Sequence, residues 1–235
     1  LEFRRVLFRS GELEASHSEV SPAGGSGGGP VTPHLGFTLD YRHPGPGLRV
    51  KGVPPGAPGS YKKTEIRPGE YILAINGKDV SPDERLYQAI NDKQDREFEF
   101  LVSTNTERRG ARLVRYKVLS TDEWDDLLYR NRCDRLRSYV EERSGGRVGY
   151  VHIAAMGMGN QVKFEREAYE YMAGKEALII DVRFNRGGNI ADTLIDWIER
   201  KPHGWNRPRD AAPETVPYRA WEKKCVVLMN EHSFS

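Results

Sequence analysis

The sequence predicts a chain of more than one domain, with a β-rich region followed by a region of α/β class. Short apolar runs typical of strands lie around an Asn76–Gly77 turn, the pair that most strongly indicates a β-hairpin. A capped helical segment begins at Ser120. From Gly149 onward, strand-like and helix-like segments alternate, which indicates an α/β layer with at least partly parallel strands.

The composition argues against several classes of function. Of 235 residues, 37% are hydrophobic, which is enough for modest cores. Lysines and arginines total 36 against 34 acidic residues, and the net charge of +2 argues against a nucleic-acid-binding surface. No apolar run approaches the roughly 20 residues that span a bilayer. Cys133 and Cys225 are far apart and lack metal-ligand spacing, which argues against a disulfide framework or zinc site and favours a reducing compartment.

The first 29 residues divide into two parts. Residues 1–10, LEFRRVLFRS, fit nothing that follows and are interpreted as a non-native leader. In residues 11–29, Ser16 and His17 precede a stretch rich in proline, glycine and serine that is typical of flexible linkers. A lone histidine in such a place is ordinarily a solvated surface residue.

Residues 30–118 predict a small β-rich domain. Strands are expected at 48–53, 71–76, 98–102 and 111–118, with a helix over 81–91. Residues 119–145 predict a helical connector, because Ser120 and Glu123 form a capping box ahead of apolar residues with a period near 3.6.

Residues 146–235 predict the α/β domain. Strands are expected at 150–154, 177–182 and 225–229, helices at 162–173 and 190–199, and loops at 156–160 and 201–217. The strand at 177–182 is short, apolar and rich in β-branched residues, which predicts burial on both faces.

The turn after that strand contains Gly187 and Gly188 and leads into a helix. A strand, a glycine turn and a helix together leave backbone N–H groups uncommitted, and such groups can hold an anion or a developing oxyanion. The alternative is that the two glycines only make a tight turn. A second strand-like segment, CVVLMNEHSFS, runs into a serine-rich turn that ends at Ser235.

These two segments resemble the tricorn core proteases, relatives of the C-terminal processing peptidases. The matching residues are Ile179-Ile180-Asp181-Val182-Arg183, Asn185, Gly187-Gly188, Asn230-Glu231 and Ser235, and the strand GYVHI from Gly149 looks like the family's entry strand. The resemblance implies a serine peptidase with a crotonase/ClpP-like catalytic domain. By the same resemblance, the full-length protein is expected to need no metal or organic cofactor and to act on peptides. It is also expected to be a cytoplasmic homo-oligomer with no nucleic-acid or membrane partner.

The resemblance also implies roles for single residues. Ser235 is the nucleophile, and Gly187 or Gly188 supplies the oxyanion amide. Ser16 and His17 fall on the family's Ser-His pair, so that His17 is the general base and Ser16 supports it. His232 lies close to Ser235 in sequence and is the competing candidate for the base.

The sequence from Pro68 to Gly77, PGEYILAING, looks like a PDZ signature. Leu35, Gly36 and Phe37 stand where PDZ domains carry the loop that binds a peptide carboxylate through its N–H groups. A PDZ domain within a protease can equally be a structural spacer, and both interpretations stay open.

Two other function classes compete with the peptidase. One is a non-catalytic PDZ-type scaffold, in which His17 and Ser235 are incidental. The other is a crotonase-like acyl-CoA enzyme, which would not carry a PDZ-like region.

The tricorn family places a glutamate and a second oxyanion amide beyond the nucleophile. Because Ser235 is the last residue here, the chain is expected to be an inactive fragment of an active parent.

Overall fold

The computed structural model describes residues 30–93, 95–217 and 223–234. The described residues form two compact units, one containing residues 30–132 and the other containing the described residues from 133 onward. We call them the N-terminal unit and the C-terminal unit. The linker predicted over residues 21–30 lies almost wholly outside the described residues.

The N-terminal unit is built on an antiparallel sheet with strand order β1-β2-β3-β5-β6, in which β4 pairs with β3. Its elements are β1 (Thr38–Leu39), β2 (Leu48–Gly52), β3 (Tyr71–Ile75), β4 (Lys78–Asp79), α1 (Glu84–Ile90), β5 (Glu97–Ser103) and β6 (Arg112–Lys117). The predicted turn is confirmed, because Asn76 and Gly77 both have positive φ and Ile75 pairs with Lys78 across it. Phe98, Phe100 and Val102 alternate into the core of this unit and are fully buried.

Helix α2 (Thr121–Ser144) begins at the predicted capping box. The Glu123 amide donates to Ser120 Oγ at 3.2 Å, and the Ser120 amide donates to Glu123 Oε2 at 2.8 Å. The first half of α2 belongs to the N-terminal unit and the second half to the C-terminal unit. The domain boundaries expected at residues 118 and 145 stay predictions.

The C-terminal unit contains a three-stranded parallel sheet with order β11-β8-β7. Its elements are β7 (Val148–His152), α3 (Met158–Met172), β8 (Ala177–Asp181), α4 (Ala191–Glu199), β9 (Gly204–Asn206), β10 (Glu214–Val216) and β11 (Lys224–Leu228). Helices α3 and α4 share a core with Leu178 and Ile180 of the sheet. Phe164 and Trp197 join the two helices edge to face, with ring centroids 5.0 Å apart.

Three expectations for this unit differ from the structure. The segment 201–217 is not all loop, because β9 and β10 pair there as an antiparallel ribbon. Its strands have three residues each and carry too little pattern for a sequence prediction. Helix α3 starts at Met158, so the glycine-rich loop before it is shorter than expected. Strand β8 is not buried on both faces: Leu178 and Ile180 are buried against the helices, whereas Ala177 and Ile179 are half-buried.

Candidate active site

The candidate active site lies where the parallel strands of the C-terminal unit end. His152, Asp181 and Leu228 are in register at the carboxyl ends of β7, β8 and β11. The loops that follow parallel strands emerge at the same edge of the sheet, which is where open α/β sheets bind ligands. Both sequence segments that resemble the peptidase family meet at this edge.

Asp181 anchors the chain as it leaves β8. Its carboxylate is fully buried, and it accepts a hydrogen bond from the Tyr150 hydroxyl at 2.7 Å. Arg183 donates to it from Nε at 2.9 Å, from Nη2 at 2.6 Å and from its backbone amide at 3.0 Å. His152 Nε2 lies 3.0 Å from the Arg183 carbonyl oxygen, so a second strand end contacts the same segment.

This network keeps Asp181 ionised. Burial would raise the pKa of Asp181, but the hydrogen bonds from Arg183 and Tyr150 outweigh it and lower that pKa to about 2. Burial first, and then the bond to Asp181, raise the pKa of the Tyr150 phenol. The same carboxylate raises the pKa of Arg183. An ion pair between the buried Asp181 carboxylate and the partly exposed Arg183 guanidinium therefore fixes the start of the glycine loop.

Asn185 fixes the middle of the loop. It is 3% exposed, and its side chain donates from Nδ2 to the Ile153 carbonyl at 2.7 Å. Its Oδ1 accepts the Gly187 amide, also at 2.7 Å. The Gly187 carbonyl in turn accepts from the Met156 amide at 2.8 Å. The loop after β8 is thus joined to the segment after β7.

The structure separates the two glycines proposed as oxyanion donors. Both have positive φ, +77° at Gly187 and +142° at Gly188, which explains why glycine stands at each. The Gly187 amide is already committed to Asn185. The Gly188 amide has no acceptor among residues 30–93, 95–217 and 223–234, and Gly188 is exposed. A Cβ on Gly188 would lie 2.2 Å from the Met156 carbonyl oxygen, so the two backbones pass too closely for a side chain.

The segment after β11 packs on the same loop. Asn230 Oδ1 accepts the Phe184 amide at 3.1 Å, and Ser233 Oγ donates to the Val182 carbonyl at 2.8 Å. The Phe234 amide donates to the Asn185 carbonyl at 2.8 Å. Residue 234 is therefore held directly against the loop that carries the glycines.

Beside these contacts lies an open cleft, lined by Phe184, Asn185, Arg186, His232 and Phe234. The Phe184 and His232 rings are stacked, with centroids 5.4 Å apart and planes 13° apart. His232 also lies 3.5 Å from the Glu231 carboxylate. Sequence reasoning did not find this cleft, because only the folded loop brings residues 184–186 beside residues 232–234.

Three predicted site residues, Ser16, His17 and Ser235, lie outside the described residues. Sequence reasoning also gave no role to Tyr150 or to Asp181. The available signal was an aspartate ending an otherwise apolar strand, since a buried carboxylate requires partners. In the part of the chain that the structure describes, no group of three or more His, Cys, Asp or Glu side chains converges as a metal site. Nor does any described helix combine the length and apolarity needed to cross a membrane.

A second candidate site lies in the N-terminal unit, at Leu35, Gly36 and Phe37. Within the described residues, none of these three consecutive amides has an acceptor. Gly36 has a φ of +82°, and the Leu35 carbonyl accepts from the buried Tyr116 hydroxyl at 2.7 Å. The loop opens on a groove of about 660 Å³, whose lining includes Leu39, Lys51, Leu86, Tyr87, Ile90 and Trp124.

Comparison with known proteins shows which family the C-terminal unit is similar to. Residues 147–235 match peptidase family S41. This S41 segment contains β7, β8, β11, the glycine loop and the cleft. The resemblance predicted from the motifs is thereby confirmed at the level of the family.

The chain is also similar to tricorn proteases over most of its length. It is 32% identical over 235 residues to tricorn protease homolog 1 of Streptomyces coelicolor, covering 96% of this chain and 21% of that protein. It is 29% identical over 167 residues to the tricorn protease of Thermoplasma volcanium, covering 71% of this chain and 16% of the relative. The chain therefore spans about a fifth or less of these relatives.

A solved structure shows the same similarity to tricorn proteases. The chain superposes on the crystal structure of the tricorn protease with a TM-score of 0.64 and 25% identity, over 87% of this chain and 20% of that one. The mixed α/β fold is thus similar to that of a segment of the tricorn protease.

Proposed function

We propose that the full-length protein is a serine-type peptidase that hydrolyses peptides by a tricorn-like Ser/His mechanism. Ser235 is the nucleophile, His17 is the general base, and Ser16 supports His17. No metal or organic cofactor takes part. The S41 segment and the similarity to tricorn proteases support this proposal.

The observation that carries the proposal is the Gly188 amide, which has no acceptor among the described residues. It stands in a loop fixed by Asp181 and Asn185, so its direction is set before substrate arrives. Preorganised donors of this kind stabilise a tetrahedral oxyanion. A single such donor typically lowers the activation free energy of the reaction by about 2.7–4 kcal/mol. Because the Gly187 amide already bonds Asn185, Gly188 rather than Gly187 is the oxyanion donor.

The reaction then follows from these roles. His17 removes the proton from Ser235 Oγ as the oxygen attacks the peptide carbonyl. The Gly188 amide donates to the oxygen that becomes negative. Protonated His17 next gives its proton to the leaving amine. In the second half of the reaction His17 takes a proton from the water that attacks the acyl-enzyme, and then returns that proton to Ser235 Oγ as the acyl group leaves.

Turnover by substituted full-length proteins tests these assignments. Ser235→Ala and His17→Ala should each lower kcat by about 10⁴-fold or more, and the double variant should lose little further. Ser233→Ala and His232→Ala are the matched controls, because they alter a neighbouring serine and histidine with structural contacts. Activity that survives His17→Ala but not His232→Ala would reassign the base.

We also propose that the N-terminal unit is PDZ-like and that the C-terminal unit is of the crotonase/ClpP-like type. The three open amides at residues 35–37 would receive the carboxylate of a peptide's C-terminus, with the peptide added beside β1. Leu39, Leu86 and Ile90 would accept apolar side chains in the groove.

Binding of a peptide with an apolar last residue tests this second role. Residues 30–132 should bind the peptide with a free carboxyl terminus at least about tenfold more tightly than the amidated peptide, because the amide lacks the charge that three N–H groups hold. Equal affinity would leave the unit a structural spacer. We further propose a cytoplasmic homo-oligomer, which light scattering of the full-length protein tests.

A further inference from the structure

Two arginines follow β8, and the structure gives them opposite surroundings. Arg183 is committed to the buried Asp181 carboxylate through two side-chain hydrogen bonds. Arg186 is exposed, and its guanidinium has no hydrogen-bond or ion-pair partner within residues 30–93, 95–217 and 223–234. Arg186 is also one of the residues that line the cleft.

The backbone of Arg186 is held in place, although its side chain has no partner in the part of the chain that the structure describes. Its amide donates to the Ala154 carbonyl at 2.9 Å. Asn185, directly before it, is fixed through Ile153 and Gly187, and Gly188 is only two residues further on. The guanidinium thus extends from a backbone position that hydrogen bonds hold, two residues before the proposed oxyanion amide in the sequence.

Three of the other four residues that line the cleft are aromatic: Phe184, His232 and Phe234. Phe184 is 49% exposed and Phe234 is 57% exposed. Phe184 has a φ of +62°, which is unusual for a bulky residue and requires the surrounding contacts to hold it. Apolar ring surface beside a single cation suits a peptide segment that carries a carboxylate.

We propose that Arg186 binds a carboxylate of the peptide substrate and so determines which peptides are cleaved. This proposal rests on the proposed peptidase function. A guanidinium offers a carboxylate two parallel hydrogen bonds, which a lone lysine ammonium cannot match. The carboxylate comes either from an acidic side chain near the scissile bond or from the carboxyl terminus of the substrate.

Two matched peptide pairs distinguish these sources in the full-length protein. One pair differs by Glu against Gln near the scissile bond, and the other by a free against an amidated carboxyl terminus. Arg186→Gln should lower kcat/KM by about 10- to 100-fold for the charged member of one pair and leave the uncharged member of that pair unchanged. The pair that shows this loss identifies the source of the carboxylate. Arg186→Lys should keep only part of the preference, because it keeps the charge but not the two parallel hydrogen bonds, and Arg186→Glu should favour a Lys-containing peptide instead.

Arg166→Gln is the control for net charge, since Arg166 is exposed on α3 and does not line the cleft. It should leave every preference unchanged. Equal losses on both members of each pair, or no loss on any peptide, would overturn the role of Arg186 alone. Failure of the unsubstituted protein to cleave any peptide would instead overturn the peptidase function and this proposal with it.

Discussion

Among single residues, Asn185 makes the contact that distinguishes the two glycines, because it accepts a hydrogen bond from the Gly187 amide. Its side chain also donates a hydrogen bond to the Ile153 carbonyl, which lies just after β7. A buried side chain with both ends paired is costly to remove, because its former partners stay buried without replacements.

Asn185→Ala is therefore expected to lower the free energy of unfolding by about 1–3 kcal/mol, measured by urea denaturation. Asn189→Ala is the control, because Asn189 is exposed and its side chain has no partner among the described residues. Equal midpoints for the two variants would show that the Asn185 contacts do not hold the loop.

The Asp181 network predicts how stability depends on pH. The pKa of Asp181 is about 2 in the folded chain and about 3.9 in an unfolded one, so the carboxylate stabilises the fold above pH 4. That contribution should be lost as the pH falls from about 4 towards 2. Tyr150→Phe removes one donor to Asp181, which raises the folded pKa and makes the acid loss smaller.

Urea unfolding measured between pH 2 and pH 7 checks this prediction. Tyr116→Phe is the matched control, since its buried hydroxyl donates to the Leu35 carbonyl rather than to a carboxylate. It should lower stability by the same amount at every pH in this range. An identical pH profile for Tyr150→Phe and the unsubstituted chain would contradict the role assigned to Tyr150.

At the scale of elements, the packing of β7 against α3 depends on Gly149. A Cβ at this position would lie 2.5 Å from the Tyr171 carbonyl oxygen, which is backbone and cannot turn aside. Gly149→Ala should therefore destabilise the chain by roughly 1–3 kcal/mol.

Gly159→Ala provides the comparison, because nothing lies within 4 Å of a Cβ there and Gly159 is inside α3. It should stabilise the chain by about 0.5 kcal/mol through helix propensity. Thermal melting of both variants measures the difference. If the two melting temperatures shift in the same direction, the close approach of β7 and α3 is not what the structure describes.

Most elements were predictable from sequence because each carries a local signal. The Asn76–Gly77 turn and the Ser120–Glu123 box depend on neighbouring residues only, and both are confirmed. The β9–β10 ribbon was missed because its short strands depend on pairing rather than pattern.

The candidate site was predictable only in part. The motif located both glycines, but the choice between them depends on the Asn185 side chain, which sequence spacing does not show. The folded loop also shows that a Gly188→Val variant would not test catalysis alone. Its Cβ would meet the Met156 backbone and disturb the loop as well.

For the whole molecule, the boundary of the N-terminal unit is the feature that can be tested by truncation. The sequence predicts a separate domain over residues 30–118, which we would expect to fold alone. In the structure Trp124 and Leu127 form a buried cluster with Ala57, and Trp124 stacks on His34 with ring centroids 5.0 Å apart. Residues 30–132 should therefore be more stable than residues 30–118, by about 2–4 kcal/mol from burial of these side chains.

Amide NMR spectra and thermal melting of the two proteins check the difference. Residues 30–132 should give dispersed signals and the higher melting temperature. Equal melting temperatures would mean that the start of α2 does not stabilise this unit.

The central claim is that the full-length protein is a serine peptidase whose nucleophile is Ser235. The most direct measurement is reaction of the full-length protein with a fluorophosphonate, followed by mass spectrometry of the labelled peptide. The claim predicts a single adduct on Ser235, formed far more slowly after His17→Ala because the hydroxyl then lacks its base. An adduct on Ser233 or another serine, or labelling of Ser235 at an unchanged rate in the His17→Ala variant, would contradict it.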